Sequence, residues 1–188
     1  MPVNYGANFS AHRLREIQGA ALKQYDGELL SRPNQASRVS DFRKLDVWRM
    51  SHALVLNVHS AVKQIRGTDY ASLRSQMLRA AMSVPTNLVE GVGQKSGREF
   101  GRFIRISLNS SNELEYHLLL ARDFEVLHPD VFTTLVTQAI QVRKMLHGLL
   151  RKVDRRVGDG EKNGSHRSLP GTGNRATRTP QRVTADRE

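Results

Sequence analysis

Apolar residues recur along most of this chain at the spacing of an α-helix. Between Asp41 and Ile65 the positions Val47, Ser51, Leu54, Val55, Val58, Ala61, Val62 and Ile65 make one broad stripe, with Trp48 beside it as a core residue. Leu73, Met77, Ala80, Ala81, Val84 and Leu88 repeat the pattern in the next segment. Phe100, Phe103, Ile104, Ser107, Ser111, Leu114, Leu118 and Ala121 repeat it in a third. The fourth starts at Pro129, a good first-turn residue, and runs to about Arg155, with Phe132, Leu135, Val136, Ala139, Ile140, Leu146, Leu149, Leu150 and Val153 on its inner face. Four such helices joined by short corners predict an all-α protein, an antiparallel four-helix bundle over residues 41–156 with neighbours crossing at about 20°.

The polar positions mark the corners. Gly67-Thr68-Asp69 closes the first helix and caps the second. Gly91, Gly93 and Gly97 break helical propensity and let the chain reverse, and Ser96 with Glu99 has the spacing of a capping box that opens the third helix. Pro85 lies inside the second helix, where it has no N–H for the carbonyl of Ala81, so a kink is expected near Ser83. Asn87 and Glu90 project from one face. Glu90 then either helps close the corner or serves as a catalytic carboxylate, and no nearby His or second acid supports the catalytic role. Ser107, Ser110 and Ser111 are small enough for a neighbouring backbone to come close.

The two ends of the chain read differently. In residues 1–40, Leu14, Ile17, Ala21, Tyr25 and Leu29 can form one amphipathic helix that Arg32-Pro33-Asn34 ends, and the segment is expected to be an N-terminal arm or appendage. Residues 157–188 are rich in Gly, Pro, Thr and Arg without apolar periodicity, so a disordered basic C-terminal tail is expected there.

Composition removes several chemistries. The chain has no cysteine, which excludes disulfides, thiol catalysis and Cys-based zinc sites and suits a cytoplasmic location. Its start lacks the apolar run of a signal peptide, and no apolar stretch approaches the roughly 20 residues that span a bilayer, so no membrane association is expected. His52 and His59 share a face two turns apart, roughly 10 Å, and cannot chelate one ion. A di-iron bundle needs Glu-x-x-His pairs from two helices, and only Glu125-x-x-His128 has that spacing. No Walker loop, dinucleotide fingerprint or nucleophile elbow is present, so neither an enzyme nor a bound cofactor is expected.

Charge points to a polyanion. The net charge is +11, and residues 41–155 alone hold 17 basic against 11 acidic groups. Arg98, Arg102 and Arg105 follow i, i+4, i+7 and form one ridge on the third helix, which Lys95 extends into the corner. Arg151, Lys152 and Arg155 crowd the end of the last helix, where they also complement its dipole. Such a ridge is either a solvated face opposite the core or a track for phosphates, and no exposed aromatic platform for reading bases is evident in the sequence.

A family resemblance rests on Ser75-Gln76, Arg79-Ala80-Ala81, Ser83-Val84-Pro85-x-Asn87, Glu90-Gly91, Ser96-x-x-Glu99-Phe100-x-Arg102-Phe103 and Glu113-Leu114-Glu115. With Leu45-x-Val47-Trp48 and His52-x-Leu54-Val55 upstream, this set resembles the 23S rRNA intervening-sequence four-helix bundle family, itself related to the accessory variability protein of diversity-generating retroelements. Asn109 and Ser111 depart from the pattern, where a small glycine-like residue and a leucine are expected. The resemblance implies a homo-oligomer, a pentamer, that binds RNA or DNA and has a reverse transcriptase as a candidate partner. The expected function is therefore a non-enzymatic adaptor binding nucleic acid through Lys95, Arg98, Arg102, Arg105, Arg151, Lys152 and Arg155. The alternative is a protein–protein module, such as a reverse-transcriptase accessory subunit, without direct nucleic-acid contact.

Overall fold

The structure, a computed structural model, describes residues 10–28 and 41–165. They form five α-helices: α1 (Ala11–Glu28), α2 (Asp46–Val62), α3 (Ala71–Val92), α4 (Gly97–Asp123) and α5 (Pro129–Ser165). Short 3-10 turns, Phe42–Lys44 and Thr68–Tyr70, precede α2 and α3. Helices α2 to α5 close into a bundle in which α3 packs most extensively on α4, α4 on α5, and α2 touches both α3 and α5. The alternating stripes meet in one core, where Leu54, Met77, Leu88, Ile104, Leu114, Leu118, Leu135 and Leu146 are completely or almost completely buried. Burial of each such side chain is worth roughly 1.5–3 kcal/mol, which is what turns amphipathic helices into a bundle.

Within the described residues, the N-terminal segment packs on the bundle and does not stand off as an appendage. Helix α1 lies along α2 and α5, with Leu14 fully buried and Ala21 nearly so. Amides fix its position: buried Gln138 donates from Nε2 to Gln18 Oε1 at 2.7 Å and accepts at Oε1 from Asn57 Nδ2 at 2.9 Å. Tyr25 adds an edge contact to Trp48, its ring centroid 5.1 Å away, and Trp48 stacks on His52 at 5.2 Å. Burial in that cluster pushes the His52 imidazole below its ordinary pKa, so it serves as a neutral aromatic wedge. Leu29, the last residue of the expected stripe, lies outside the described residues.

Helix α3 continues through Pro85, which is buried inside it. The three carbonyls just before the proline each accept a side-chain donor: Met82 from Thr86 Oγ1 (2.9 Å), Ser83 from Asn87 Nδ2 (2.8 Å) and Val84 from Ser107 Oγ of α4 (3.0 Å). Ser83 and Ser110 share a further hydroxyl bond of 2.8 Å. These donors reinforce the carbonyls in the turn before the proline, and one of them, Ser107, is among the small serines of α4. Ser111, one of the departures from the family pattern, is buried and donates to the carbonyl of Ala139 in α5 at 3.4 Å, while Asn109 is exposed.

Two boundaries differ from expectation. The first helix is split, because Asp41 caps the 3-10 turn by accepting from the Arg43 N–H at 3.0 Å, and α2 proper starts at Asp46. Helix α5 continues past Arg155 to Ser165, so residues 157–165 are helical and the expected tail within the described residues is shorter. Residues 166–188 lie outside them.

Candidate nucleic-acid interface

The basic residues converge at one end of the bundle. Because α2 to α5 run antiparallel, that end gathers the start of α2, the end of α3, the start of α4 and the late part of α5. The corner there is tight. An added Cβ on Gly91 would lie 2.7 Å from the Phe100 ring and 2.8 Å from Phe103 Cβ, so only glycine lets α3 meet α4 this closely. Gly97 stands in the same relation to Val157 of α5, at 2.9 Å. Ser96 caps α4: its hydroxyl accepts from the Glu99 N–H at 3.1 Å and donates to the Glu99 carboxylate at 3.0 Å. Asn87 is committed to Ser83, and the Glu90 side chain is exposed. The corner is therefore held by Gly91, Ser96 and Glu99, with Glu90 contributing its backbone carbonyl, which accepts from Gln94 Nε2 at 3.0 Å.

On this scaffold Lys95, Arg98, Arg102, Arg105, Arg151, Lys152 and Arg155 are all exposed. The approach of Gly97 to Val157, and of Gly101 to Asp154 and Leu150, brings the α4 ridge beside the α5 cluster. The ridge is not uniform. Arg105 reaches across to α5, where both carboxylate oxygens of Asp154 accept from its Nη2 at 3.2 Å. Arg102 lies over the half-buried Phe103 ring, 5.4 Å from its centroid.

Sequence reasoning missed two cations. Arg43 and Lys44 sit in the 3-10 turn at the start of α2, which also touches α3, and both are exposed at this same end. They are about 50 residues from the α4 ridge in sequence, and only the antiparallel topology brings them near it. Arg43 lies over the half-buried Phe42 ring at 5.2 Å, so the aromatic groups absent from the sequence reading are present as arginine-covered rings.

No set of three or more His, Cys, Asp or Glu among the described residues is placed to hold a metal ion, and no helix among them is long and apolar enough to cross a membrane. Glu125 sits at a positive φ of 55° in the α4–α5 corner, and His128 Nδ1 accepts from the Asp130 N–H at 3.2 Å.

These features define a small all-helical bundle with one strongly basic end. Residues 43–148, more than half of the chain, match the family model of the 23S rRNA-intervening sequence protein, and the chain belongs to that family. The fold is similar to the crystal structure, at 1.70 Å resolution, of a protein of unknown function from the S23 ribosomal protein family of Bacteroides thetaiotaomicron VPI-5482. The TM-score is 0.53 at 21% identity, over 55% of this chain and 97% of that one, a likeness of fold alone. No curated protein matches the chain. None of these matches indicates an enzyme family. Helix α1 and the basic residues Arg151, Lys152 and Arg155 lie outside the matched segment.

Proposed function

We propose that the protein is a non-enzymatic, self-associating helical-bundle adaptor that binds nucleic acid through its basic end. The observation that carries this reading is the convergence of cations from three separate stretches. Arg43 and Lys44, Lys95 to Arg105, and Arg151 to Arg156 meet at one end, where Glu99 and Asp154 are among the few acids. A spread of fixed cations suits a phosphate backbone and carries little sequence information by itself. Binding is therefore weak in sequence preference and steep in salt, with a log–log slope of about 0.7 to 0.9 per phosphate contact.

Self-association is supported by apolar side chains left at the surface. Met82 is 51% exposed and Tyr116 57%, on α3 and α4, away from the basic corner, while Leu56, Leu119 and Leu120 are half-buried. Exposed residues of this kind mark protein interfaces when they cluster. A ring of subunits, as the family resemblance implies with a homopentamer, would repeat the basic end and add avidity.

The test is affinity of the full chain for RNA and for duplex DNA across a salt series, alongside its mass by light scattering. Salt-dependent binding by an assembled species supports the proposal. An assembled species that binds neither nucleic acid at low salt transfers the function to a protein partner, a reverse transcriptase being one candidate. A strictly monomeric mass at high protein concentration removes the self-association.

A further inference from the structure

Two arginines at the basic end are not extended into solvent as simple charges. Arg43 lies over the Phe42 ring at 5.2 Å and Arg102 over the Phe103 ring at 5.4 Å, both within the range of a cation–π contact. In each pair the phenyl ring is half-buried, held by the bundle, and the arginine is exposed. Phe42 is braced by Trp48, 4.9 Å away, and Phe103 by the close approach of Gly91. A guanidinium laid on a fixed ring is already ordered, is weakly hydrated, and keeps its outer face open for a second flat group. The acids at this end are Asp41, Asp46, Glu90, Glu99 and Asp154, the last paired with Arg105. Asp46 pairs with Arg49, Glu99 accepts from the capping Ser96, and Asp41 caps its own turn. Among the described residues, neither the Arg43 nor the Arg102 guanidinium is paired with a carboxylate.

We propose that the Arg43–Phe42 and Arg102–Phe103 pairs are stacking platforms for unpaired bases, so that the basic end takes single-stranded nucleic acid in preference to duplex. The proposal rests on the nucleic-acid reading above and deepens it by naming the class of strand. In a duplex the base faces are stacked on one another and out of reach, and only phosphates meet the arginines. In a single strand or a loop each base can turn out and lie on a guanidinium plane while the surrounding cations hold its phosphates. Such stacking is tolerant of sequence because every base has a flat face.

The decisive variant is Arg43→Lys with Arg102→Lys in the full chain. Lysine keeps the charge and the helix propensity but has no plane to stack on, and both positions are exposed, so folding is spared. The probes are one unstructured single-stranded RNA and the duplex formed from it and its complement. The wild type is expected to bind the single strand more tightly. The double variant should lose about fivefold or more on the single strand and stay within about twofold on the duplex, with an unchanged salt slope on both. Phe103→Leu, which keeps the Cβ beside Gly91 but removes the ring, should move single-strand affinity in the same direction. Equal wild-type affinity for the two probes, or an equal loss on both in the lysine variant, overturns the platforms while leaving the basic end as a phosphate site. Binding of neither probe by the wild type overturns the nucleic-acid reading itself, and the platforms with it.

Discussion

The two ends of the bundle use arginine in opposite ways. At the end where α2 passes into α3 and α4 into α5, Arg74 donates to the carbonyls of Ile65 at 3.2 Å and Gly67 at 2.7 Å, tying down the corner that Gly67 turns at a φ of 91°. Arg122 at that end lies over the Phe132 ring, as Arg102 does over Phe103, but its guanidinium is also paired with Asp123 at 2.7 Å. Lys63, Arg66, Arg74 and Arg122 stand there against Asp69, Asp123, Glu125 and Asp130, so the local charge cancels. At the other end Gly91 and the Ser96 cap close the corner, and the local basic residues outnumber the acids. An arginine is thus a structural strap where it meets backbone carbonyls at a corner, and a candidate ligand contact where a glycine corner and a hydroxyl cap hold the backbone instead. The basic end holds more arginines, and the two ends differ as well in what those arginines meet.

The strongest way to break this comparison is to neutralise each end separately. Changing Lys44, Arg98, Arg102, Arg151 and Arg155 together to Gln should lower RNA affinity at low salt by at least about a hundredfold and flatten the salt slope, with helicity by circular dichroism unchanged. Changing Lys63, Arg66 and Arg122 to Gln should leave affinity within about twofold. Equal losses from the two sets would mean that total charge matters and the end does not.

The corners predict a smaller effect, on stability. Arg74→Ala removes two bonds to backbone carbonyls and should destabilise the fold by about 1–2 kcal/mol, read as a lower urea midpoint, without changing RNA affinity. Gly91→Ala forces the added methyl against Phe103 Cβ and the Phe100 ring and should cost about 1–3 kcal/mol, partly offset by alanine's better helix propensity. Arg102→Gln should do the reverse of Arg74→Ala, weakening binding while the urea midpoint stays within about 0.5 kcal/mol of wild type. If Arg74→Ala left stability untouched, the distinction between strap and contact would fail.

The sequence made the helices and the core legible because period 3.6 stripes are a direct record of what each face touches. Ser96 and Glu99 were readable as a cap for the same reason: capping is local, and its spacing is fixed by one turn. The fate of Pro85 was not readable locally, since Ser107 lies 22 residues away and becomes a donor to the neighbouring carbonyl only when α4 folds back. Helix α1 was visible as a stripe, but its seat on the bundle depends on Gln18, Gln138 and Asn57, three polar residues whose pairing no spacing announces. At the basic end the ridge on α4 was legible from i, i+4, i+7. The addition of Arg43 and Lys44, the diversion of Arg105 to Asp154 and the laying of arginines on Phe42 and Phe103 all depend on where other residues arrive, and so emerge only in three dimensions.

Arg105 is the residue on which the comparison is most finely balanced, because at the basic end it is the ridge arginine drawn to a carboxylate. Its pair with Asp154 is exposed on both sides, 53% and 52%, so it is worth at most about 1 kcal/mol and yields readily to a competing phosphate. Asp154→Asn should therefore raise RNA affinity by a modest factor, about two- to fivefold, and steepen the log–log salt slope by up to about 0.7 to 0.9, one contact's worth. Two causes would give such a gain: Arg105 is freed to contact a phosphate, or one negative charge is simply removed from the field around the site. Repeating Asp154→Asn in an Arg105→Gln background separates them, as a double-mutant cycle isolates the coupling between neighbours. If Arg105 is a latent contact, most of the gain vanishes when it is absent; if the gain persists in full, Arg105 is a strap like those at the other end. Asp123→Asn supplies the matched control, since it releases Arg122 from the same kind of pair at the neutral end and should leave RNA affinity unchanged.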